Sequence, residues 1–304
     1  MELDLTSLMT EQRNLQTNSI DTLGTLDILT VINQEDQGVS LAVKKVLPQI
    51  AIAVDLISQA FENGGKLFYI GAGTSGRLGV IDAAECPPTF STPSEQVQAI
   101  IAGGAEAMFD AIEGAEDDTL QGRADLTMRN LTSDDVVVGI TASGRTPYVI
   151  GALEAAKELG LKTISLSCNP DSVISKIVDQ SIEVVVGPEI LTGSTRLKAA
   201  TAQKMVLNML TTASMIKMGK VYENLMVDVN ATNLKLMERA KNIVMNITGI
   251  TYEDAEKLLQ KTGYEVKTAI VMHKADVPHV VAKESIKKSN GFVKKAIEAA
   301  KRFK

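Results

Sequence analysis

The chain has 304 residues, of which 45% are hydrophobic and 22% are charged, and its formal net charge is −6. This length allows one large hydrophobic core or two smaller ones. The acidic balance argues against binding to nucleic acid or to an anionic lipid surface, because both need a basic patch.

The sequence carries no sign of export or of a membrane anchor. Its first residues, MELDLTSLMTEQRN, lack the basic region and the apolar stretch of a signal peptide. No uninterrupted apolar run approaches the roughly 18 residues that span a bilayer. The two cysteines, Cys86 and Cys168, are too few for a disulfide framework or a zinc cage. We therefore expect a cytoplasmic protein that binds neither nucleic acid nor membrane and holds no metal.

The order of the predicted elements indicates an α/β fold. Residues 17–61 carry apolar side chains at three- and four-residue spacing, which predicts helices. Five short β-rich runs follow, and helical segments separate most of them. The runs are Lys66–Gly71, Val97–Gly103, Asp135–Ser143, Lys162–Cys168 and Ile182–Gly187. This alternation predicts βαβ units and a parallel sheet with both faces covered.

Helical patterns continue to the end of the chain. One long helix, rich in Ala, Thr and Met, is predicted from Ser194 to about Gly219. Its methionines are typical of core or subunit contacts. From about residue 232 the chain is helical and increasingly charged, and a small all-helical module is predicted from about residue 240.

Residues 71–76, GAGTSG, fit the G-x-G-x-x-G pattern of a dinucleotide-binding turn. A dinucleotide site also needs an acidic residue about 20 residues further along, at the end of the second strand. Ala102, Gly103 and Gly104 stand there instead. A Walker-type phosphate loop is absent as well, so neither a dinucleotide nor a nucleoside triphosphate is predicted.

Two loops that enter helices favour a smaller ligand. Both follow predicted strands and carry hydroxyl groups; their residues are Gly73, Thr74, Ser75, Ser143, Gly144 and Thr146. Helix N-termini bind anions through free N–H groups, and hydroxyl side chains add directed donors. We therefore predict a site for one compact phosphate, although each hydroxyl taken alone is more often a helix cap.

Hydroxyl-bearing loops on an α/β sheet resemble the sugar isomerase (SIS) fold, whose members bind phosphosugars. Longer segments narrow the resemblance: GAGTSGRLGVIDAAECPPTF, EGAEDD, TASGRTPYVIGAL and GPEILTGSTRLKAATAQKMVLNMLTT. Together they are similar to the N-acetylmuramic acid 6-phosphate etherases, and the last is also similar to the glucokinase regulatory protein. The resemblance covers about residues 10–240 and implies a three-layer parallel-sheet sandwich in a homodimer.

On this basis we expect a division into three parts. They are an N-terminal helical segment over 1–55, a phosphosugar-binding SIS domain over 56–220 and a helical C-terminal region over 221–304. The small helical module from about residue 240 belongs to the last part.

The resemblance implies that the chain cleaves an ether. The family's reaction removes D-lactate from N-acetylmuramic acid 6-phosphate and leaves N-acetylglucosamine 6-phosphate, in the recycling of cell-wall amino sugars. Elimination across C2–C3 of the ring-opened sugar, followed by water addition, needs one acid and one base but no cofactor. By resemblance, Glu85 in AAECPP is the acid and Glu116 in EGAEDD is the base. Local sequence alone leaves these two roles open.

A third loop, TGSTRLKAA, also enters a helix. Its Ser194, Arg196 and Lys198 are candidates to reach the phosphate or the lactyl carboxylate, and Ser194 and Lys198 are counted among the substrate-binding residues. The loop could equally be a structural cap followed by a solvated helix face.

Two other functions remain open at this point. A regulatory protein that senses phosphosugars would use the same site without catalysis, as the glucokinase regulatory protein does. An aldose–ketose isomerase would use a similar base and release no lactate. The presence of both Glu85 and Glu116 favours the etherase.

Overall fold

The structure is a computed structural model, and it describes residues 8–229, 231 and 233–302. These residues form two compact units. The first unit extends to Ala84 and continues over Glu95–Thr211. The second consists of Glu85–Ser94 and the described residues from Thr212 onward. The three-part division with bounds at residues 55 and 220 stays a prediction.

The described part of the first unit contains a parallel sheet. Its strands are β1 (Leu67–Gly71), β2 (Val97–Ile101), β3 (Val136–Ile140), β4 (Lys162–Ser167) and β5 (Gln180–Glu183). Their order across the sheet is β2–β1–β3–β4–β5, and every neighbouring pair is parallel. Each strand overlaps one of the β-rich runs, so the predicted α/β fold with a parallel sheet is confirmed.

Both faces of the sheet are covered at its centre. A Cβ atom on Gly139 of β3 would lie 2.6 Å from Leu153 and 2.8 Å from Val149, so this face packs closely against the helix that carries them. Successive residues of a strand point to opposite faces. The residues of β3 on the other face are also fully buried: Val136, Val138 and Ile140. Burial on both faces explains the unbroken apolar run.

Helices flank these strands. They are α1 (Thr25–Lys45), α2 (Leu47–Glu62), α3 (Gly73–Phe90), α4 (Thr119–Thr127), α5 (Pro147–Glu158) and α6 (Lys198–Lys217). Helix α5 has its predicted ends: Thr146 is the N-cap, Pro147 opens the helix, and Gly160 follows with φ +75°. Helices α3 and α6 each continue from the first unit into the second.

The predicted start of the long helix at Ser194 was wrong, because α6 begins at Lys198. The cause is a distant side chain. The carboxylate of Glu189 accepts the backbone N–H groups of Lys198 and Ala199, each at 2.9 Å, and so caps the helix there. Burial raises the pKa of the Glu189 carboxyl.

In its described residues, the second unit contains helices and a short hairpin of β6 (Val221–Tyr222) with β7 (Leu225–Met226). Its remaining helices are α7 (Leu234–Thr248), α8 (Tyr252–Lys261), α9 (Val266–Ala275), α10 (His279–Lys288) and α11 (Val293–Lys301). Residues such as Val244, Leu259 and Ile270 form its own hydrophobic core. The predicted helical character of this region is confirmed. Across the described residues, none of the helices is long and apolar enough to span a membrane.

Candidate active site

The loop after β1 brings the start of α3 against the sheet. A Cβ on Gly71 would lie 2.7 Å from the backbone nitrogen of Gly76, and one on Gly76 would lie 2.6 Å from Ile101. These two glycines therefore permit a close approach of strand and helix. Gly73 has φ +50°, a conformation that favours glycine. The G-x-G-x-x-G spacing thus has a packing reason that is independent of any dinucleotide.

This loop leaves polar groups at the first turn of α3, where backbone N–H groups lack partners within the helix. Ser75 is buried there, and its hydroxyl donates to Oε1 of Gln203 on α6 at 2.9 Å. Thr74 is partly exposed beside it. The first turn of α3 therefore carries hydroxyl groups at a helix N-terminus, and its binding of an anion stays a prediction.

The loop after β3 carries a second group of hydroxyls. Thr141 Oγ1 shares hydrogen bonds with Thr146 Oγ1 at 2.7 Å and with Ser143 Oγ at 3.2 Å. Ser143 Oγ also accepts the backbone N–H of Arg145 at 3.3 Å. Although Thr146 is the N-cap residue of α5, its hydroxyl makes no capping bond to the helix. These hydroxyls therefore face one another instead of closing the helix end.

The two loops line one cavity of about 420 Å³ in the first unit. It lies at the carboxyl ends of β1 and β3, where open α/β sheets bind their ligands. Its lining residues are Leu8, Glu11, Ala72, Gly73, Thr74, Ser75, Glu116, Asp117, Thr141, Ala142, Ser143, Arg145, Thr146, Pro147, Gly193 and Thr195. The structure therefore brings together most of the residues predicted from the two loops, with Glu116 among them.

Glu116 lies on a 3-10 turn, Ala115–Asp117, which follows Gly114 at φ +75°. Glu116 is exposed, and it is one of the residues that line the cavity. A second, smaller cavity of about 200 Å³ shares Ala72, Gly73 and Glu116 with the first. Glu116 thus stands where two adjoining cavities meet, in a position open to a ligand and to solvent.

Glu85 belongs to the second unit, where its side chain is exposed on α3. Its neighbour Cys86 is buried, as expected for a small apolar residue. The pairing of Glu85 with Glu116 stays a prediction.

The third predicted loop is divided between the cavity and the protein interior. Gly193 and Thr195 line the cavity, whereas Ser194 and Lys198 are outside its lining, as is Gly144 of the loop after β3. The ammonium group of Lys198 forms an ion pair with Glu35 of α1 at 2.5 Å, and both side chains are largely buried. Lys198 therefore ties α6 to α1, a role that its position in the motif did not indicate.

Some lining residues were missed from the sequence because distant contacts bring them to the cavity. Leu8 and Glu11 belong to the N-terminal segment. That segment is held by Asn169, which accepts the N–H of Met9 at 2.6 Å and donates to Thr10 Oγ1 at 3.1 Å. No local pattern predicts these bonds. Arg145, by contrast, lies within the motif TASGRTPY, where a cation next to hydroxyl groups is a local signal for an anion site.

A buried carboxylate fixes α3 in the first unit. Asp82 accepts hydrogen bonds from Tyr69 on β1 at 3.0 Å and from Asn208 on α6 at 2.9 Å, with Thr211 at 3.3 Å. Burial raises the pKa of Asp82, and these donors oppose that rise. Because α3 carries Ser75 in its first turn, this network holds the predicted phosphate-binding end of the helix in place.

The second unit has a separate cavity of about 520 Å³ with several lysines in its lining. The carboxylate of Asp228 forms ion pairs with Lys267 at 2.7 Å and with Lys220 at 3.1 Å. Burial lowers the pKa of Lys267. The described lining of this cavity includes no strand end of the parallel sheet, whereas the first cavity lies at two of them, so the first cavity is the better candidate for a ligand that carries a phosphate.

Comparisons with known proteins agree with this fold. Family models match the N-terminal SIS domain of glucokinase regulatory protein over residues 49–157, the SIS domain over 119–213 and the C-terminal lid domain of glucokinase regulatory protein over 223–297. A crystal structure from Bacteroides fragilis, assigned as a phosphosugar isomerase, is similar with a TM-score of 0.51 and 21% identity. The match covers 66% of this chain and 95% of that one, and it shows the SIS fold.

Similarity to curated proteins is much higher. N-acetylmuramic acid 6-phosphate etherase of Rhizobium rhizogenes is 59% identical over 97% of this chain and 96% of its own length. The proteins of that name from Vibrio campbellii and Bacillus subtilis are 58% and 55% identical, over 97% of this chain and 96% and 97% of theirs. The chain therefore belongs to the N-acetylmuramic acid 6-phosphate etherase family.

Proposed function

We propose that this enzyme cleaves the D-lactyl ether of N-acetylmuramic acid 6-phosphate and releases N-acetylglucosamine 6-phosphate and D-lactate. The observation that carries this proposal is the cavity, where two hydroxyl-bearing loops and the carboxylate of Glu116 lie together. Identity of 55–59% to etherases over nearly the whole chain supports it. The reaction makes the chain a carbon–oxygen lyase that serves the recycling of cell-wall amino sugars.

The proposed reaction is an elimination followed by a hydration. In the ring-opened sugar the aldehyde acidifies the C2 hydrogen, which Glu116 removes as a proton. The C3–O bond then breaks, and Glu85 donates a proton to the departing lactate oxygen. Water then adds to C3 of the unsaturated aldehyde and gives a proton to the Glu85 carboxylate, while Glu116 returns a proton to C2. Each step moves one proton between a carboxyl group and the substrate, which general acid–base catalysis requires.

The loops account for binding of the phosphate in this proposal. Thr74, Ser143 and Thr146 supply hydroxyl donors, and Ser75 does so once its hydroxyl turns from Gln203 to the ligand. Gly73, which lines the cavity, supplies a turn in which the backbone approaches the ligand closely. The beginning of α3 adds free N–H groups, and its dipole favours an anion. The net charge of the chain is negative, so these local groups must attract the phosphate.

Incubation of the purified protein with N-acetylmuramic acid 6-phosphate tests the proposal. Stoichiometric D-lactate and N-acetylglucosamine 6-phosphate are the expected products. The alternative, a regulatory protein that only senses phosphosugars, receives some support from the glucokinase regulatory protein models. Such a protein would bind the sugar and release nothing, and an isomerase would change the sugar without releasing lactate. Either result would reject the etherase.

Serine-to-alanine variants test the phosphate-binding loops. We expect Ser75→Ala and Ser143→Ala each to weaken binding of N-acetylglucosamine 6-phosphate about tenfold or more, because each removes one hydrogen bond to a charged group. Titration calorimetry measures the affinity. Ser133→Ala is the matched control, since Ser133 is exposed just before β3, at the opposite end of the same strand. Unchanged affinity in both loop variants would place the phosphate elsewhere.

A cytoplasmic location and a homodimer are part of the proposal. They rest on the resemblance to the family and on the methionine-rich sequence of α6, which is typical of core and subunit contacts.

A further inference from the structure

The proposed substrate carries two separate negative groups. The phosphate stays on the sugar, and the carboxylate departs with lactate. The product N-acetylglucosamine 6-phosphate keeps the phosphate and lacks the carboxylate. An enzyme that selects the substrate over this product therefore needs a group that recognises the carboxylate alone.

For recognition of the carboxylate, the structure favours a different cation from those that the sequence indicated. Arg196 and Lys198 were the candidates from the sequence, but both are outside the lining of the cavity. Lys198 is paired with Glu35, and Arg196 is exposed. Arg145 lines the cavity, together with the acids Glu11, Glu116 and Asp117. Among the described lining residues it is the one that carries a permanent positive charge.

The backbone that carries Arg145 is held firmly. Gly144 has φ +72°, and a Cβ atom there would lie 2.3 Å from Cβ of Ser172. The carbonyl of Gly144 accepts the N–H of Ile174 at 3.1 Å, and the N–H of Arg145 donates to Ser143 Oγ. The backbone at and just before Arg145 is thus fixed, so its side chain starts from a defined point at the cavity.

The chemistry of the two anions assigns this side chain to the carboxylate. Hydroxyls and helix N–H groups already provide the donors for a phosphate at the loops. A guanidinium group is planar and presents paired N–H donors that match the two oxygens of a carboxylate. Glu11, Glu116 and Asp117 would repel a second anion in the cavity, and a fixed cation is needed to offset that repulsion.

We propose that Arg145 recognises the carboxylate of the lactyl group and thereby makes the site specific for the ether substrate over its sugar product. This inference rests on the proposed function. It gives the arginine in TASGRTPY a role different from that of the serine and the threonine on either side of it.

Two ligands separate this role from phosphate binding. Calorimetry is carried out with N-acetylmuramic acid 6-phosphate and with N-acetylglucosamine 6-phosphate on the Glu116→Gln chain, in which turnover should be at least about a hundredfold slower. Adding Arg145→Met should weaken binding of the muramic acid phosphate at least about tenfold, as expected for loss of a charge-assisted hydrogen bond. Binding of N-acetylglucosamine 6-phosphate should change less than about threefold, which also shows that the variant is folded.

Arg145→Lys keeps the charge without the paired donors, so we expect an intermediate loss for the muramic acid phosphate alone. Arg129→Met, at an exposed arginine of the first unit outside this lining, is the matched control and should leave both affinities unchanged. Equal weakening for both ligands in the Met and Lys variants would overturn the inference and assign Arg145 to the phosphate. Unchanged affinity for both ligands would overturn it too. Failure of the proposed function is a different result, namely no lactate from the unmodified chain.

Discussion

Replacing Glu116 by glutamine is expected to reduce lactate release by about a hundredfold to ten-thousandfold, the usual contribution of a general base. Glutamine keeps the shape of the side chain but cannot accept a proton from C2. Glu116 lines two adjoining cavities of the first unit, so the substitution changes their lining without opening a hole in the core. Binding of N-acetylglucosamine 6-phosphate should therefore persist, with an affinity close to that of the unmodified chain.

Lactate release and calorimetry together check this expectation. Glu106→Gln is the matched control, because Glu106 is an exposed glutamate of the same unit on a neighbouring 3-10 segment outside both cavities. Full activity in Glu116→Gln would remove this residue from the mechanism. Loss of binding together with activity would instead indicate that the carboxylate positions the ligand.

The fold could be predicted from the sequence because its signals are local. The strands β1 and β3 are buried throughout, and burial on both faces produces the continuous apolar runs that mark them. The ends of α5 follow from Thr146, Pro147 and Gly160, residues with intrinsic preferences for those positions. The start of α6 could not be predicted, because it is set by Glu189, a residue outside the helix.

The candidate site likewise contains residues that local sequence patterns predict and residues that they do not. Ser75, Ser143 and Thr146 were predicted as cavity residues because each follows a strand end and opens a helix, a rule that needs no knowledge of tertiary contacts. Lys198 was placed with them by its motif alone. The ion pair with Glu35 joins residues 163 positions apart, and a single sequence contains no signal for such a contact.

The pairing of Glu85 with Glu116 comes from the family resemblance. Neither the local sequence patterns nor the structure of either unit by itself indicates it. Glu116 lies in a cavity that the local patterns predicted. Glu85 stands near the end of α3 in the second unit, ahead of Pro87 and Pro88 inside the helix. Its assignment as the acid is therefore the part of the mechanism that most needs an experiment of its own.

Replacing Glu85 by glutamine is expected to abolish lactate release while exchange of the C2 hydrogen continues. The amide cannot donate a proton to the departing oxygen, so the C3–O bond stays intact and release falls by about a hundredfold or more. Glu116 still removes and returns the C2 proton. In deuterated water the recovered N-acetylmuramic acid 6-phosphate should therefore carry deuterium at C2, which mass spectrometry detects.

Two comparisons make the Glu85 experiment decisive. Glu298→Gln is the matched control, an exposed glutamate on α11 of the same unit, and it should retain full activity. Glu116→Gln should show neither exchange nor lactate, because elimination cannot begin without the base. If Glu85→Gln instead stops exchange while Glu116→Gln allows it, the two roles are reversed. In the unmodified chain, solvent oxygen must enter at C3 of the sugar, and its appearance in the hydroxyl of lactate would rule out elimination for both glutamates.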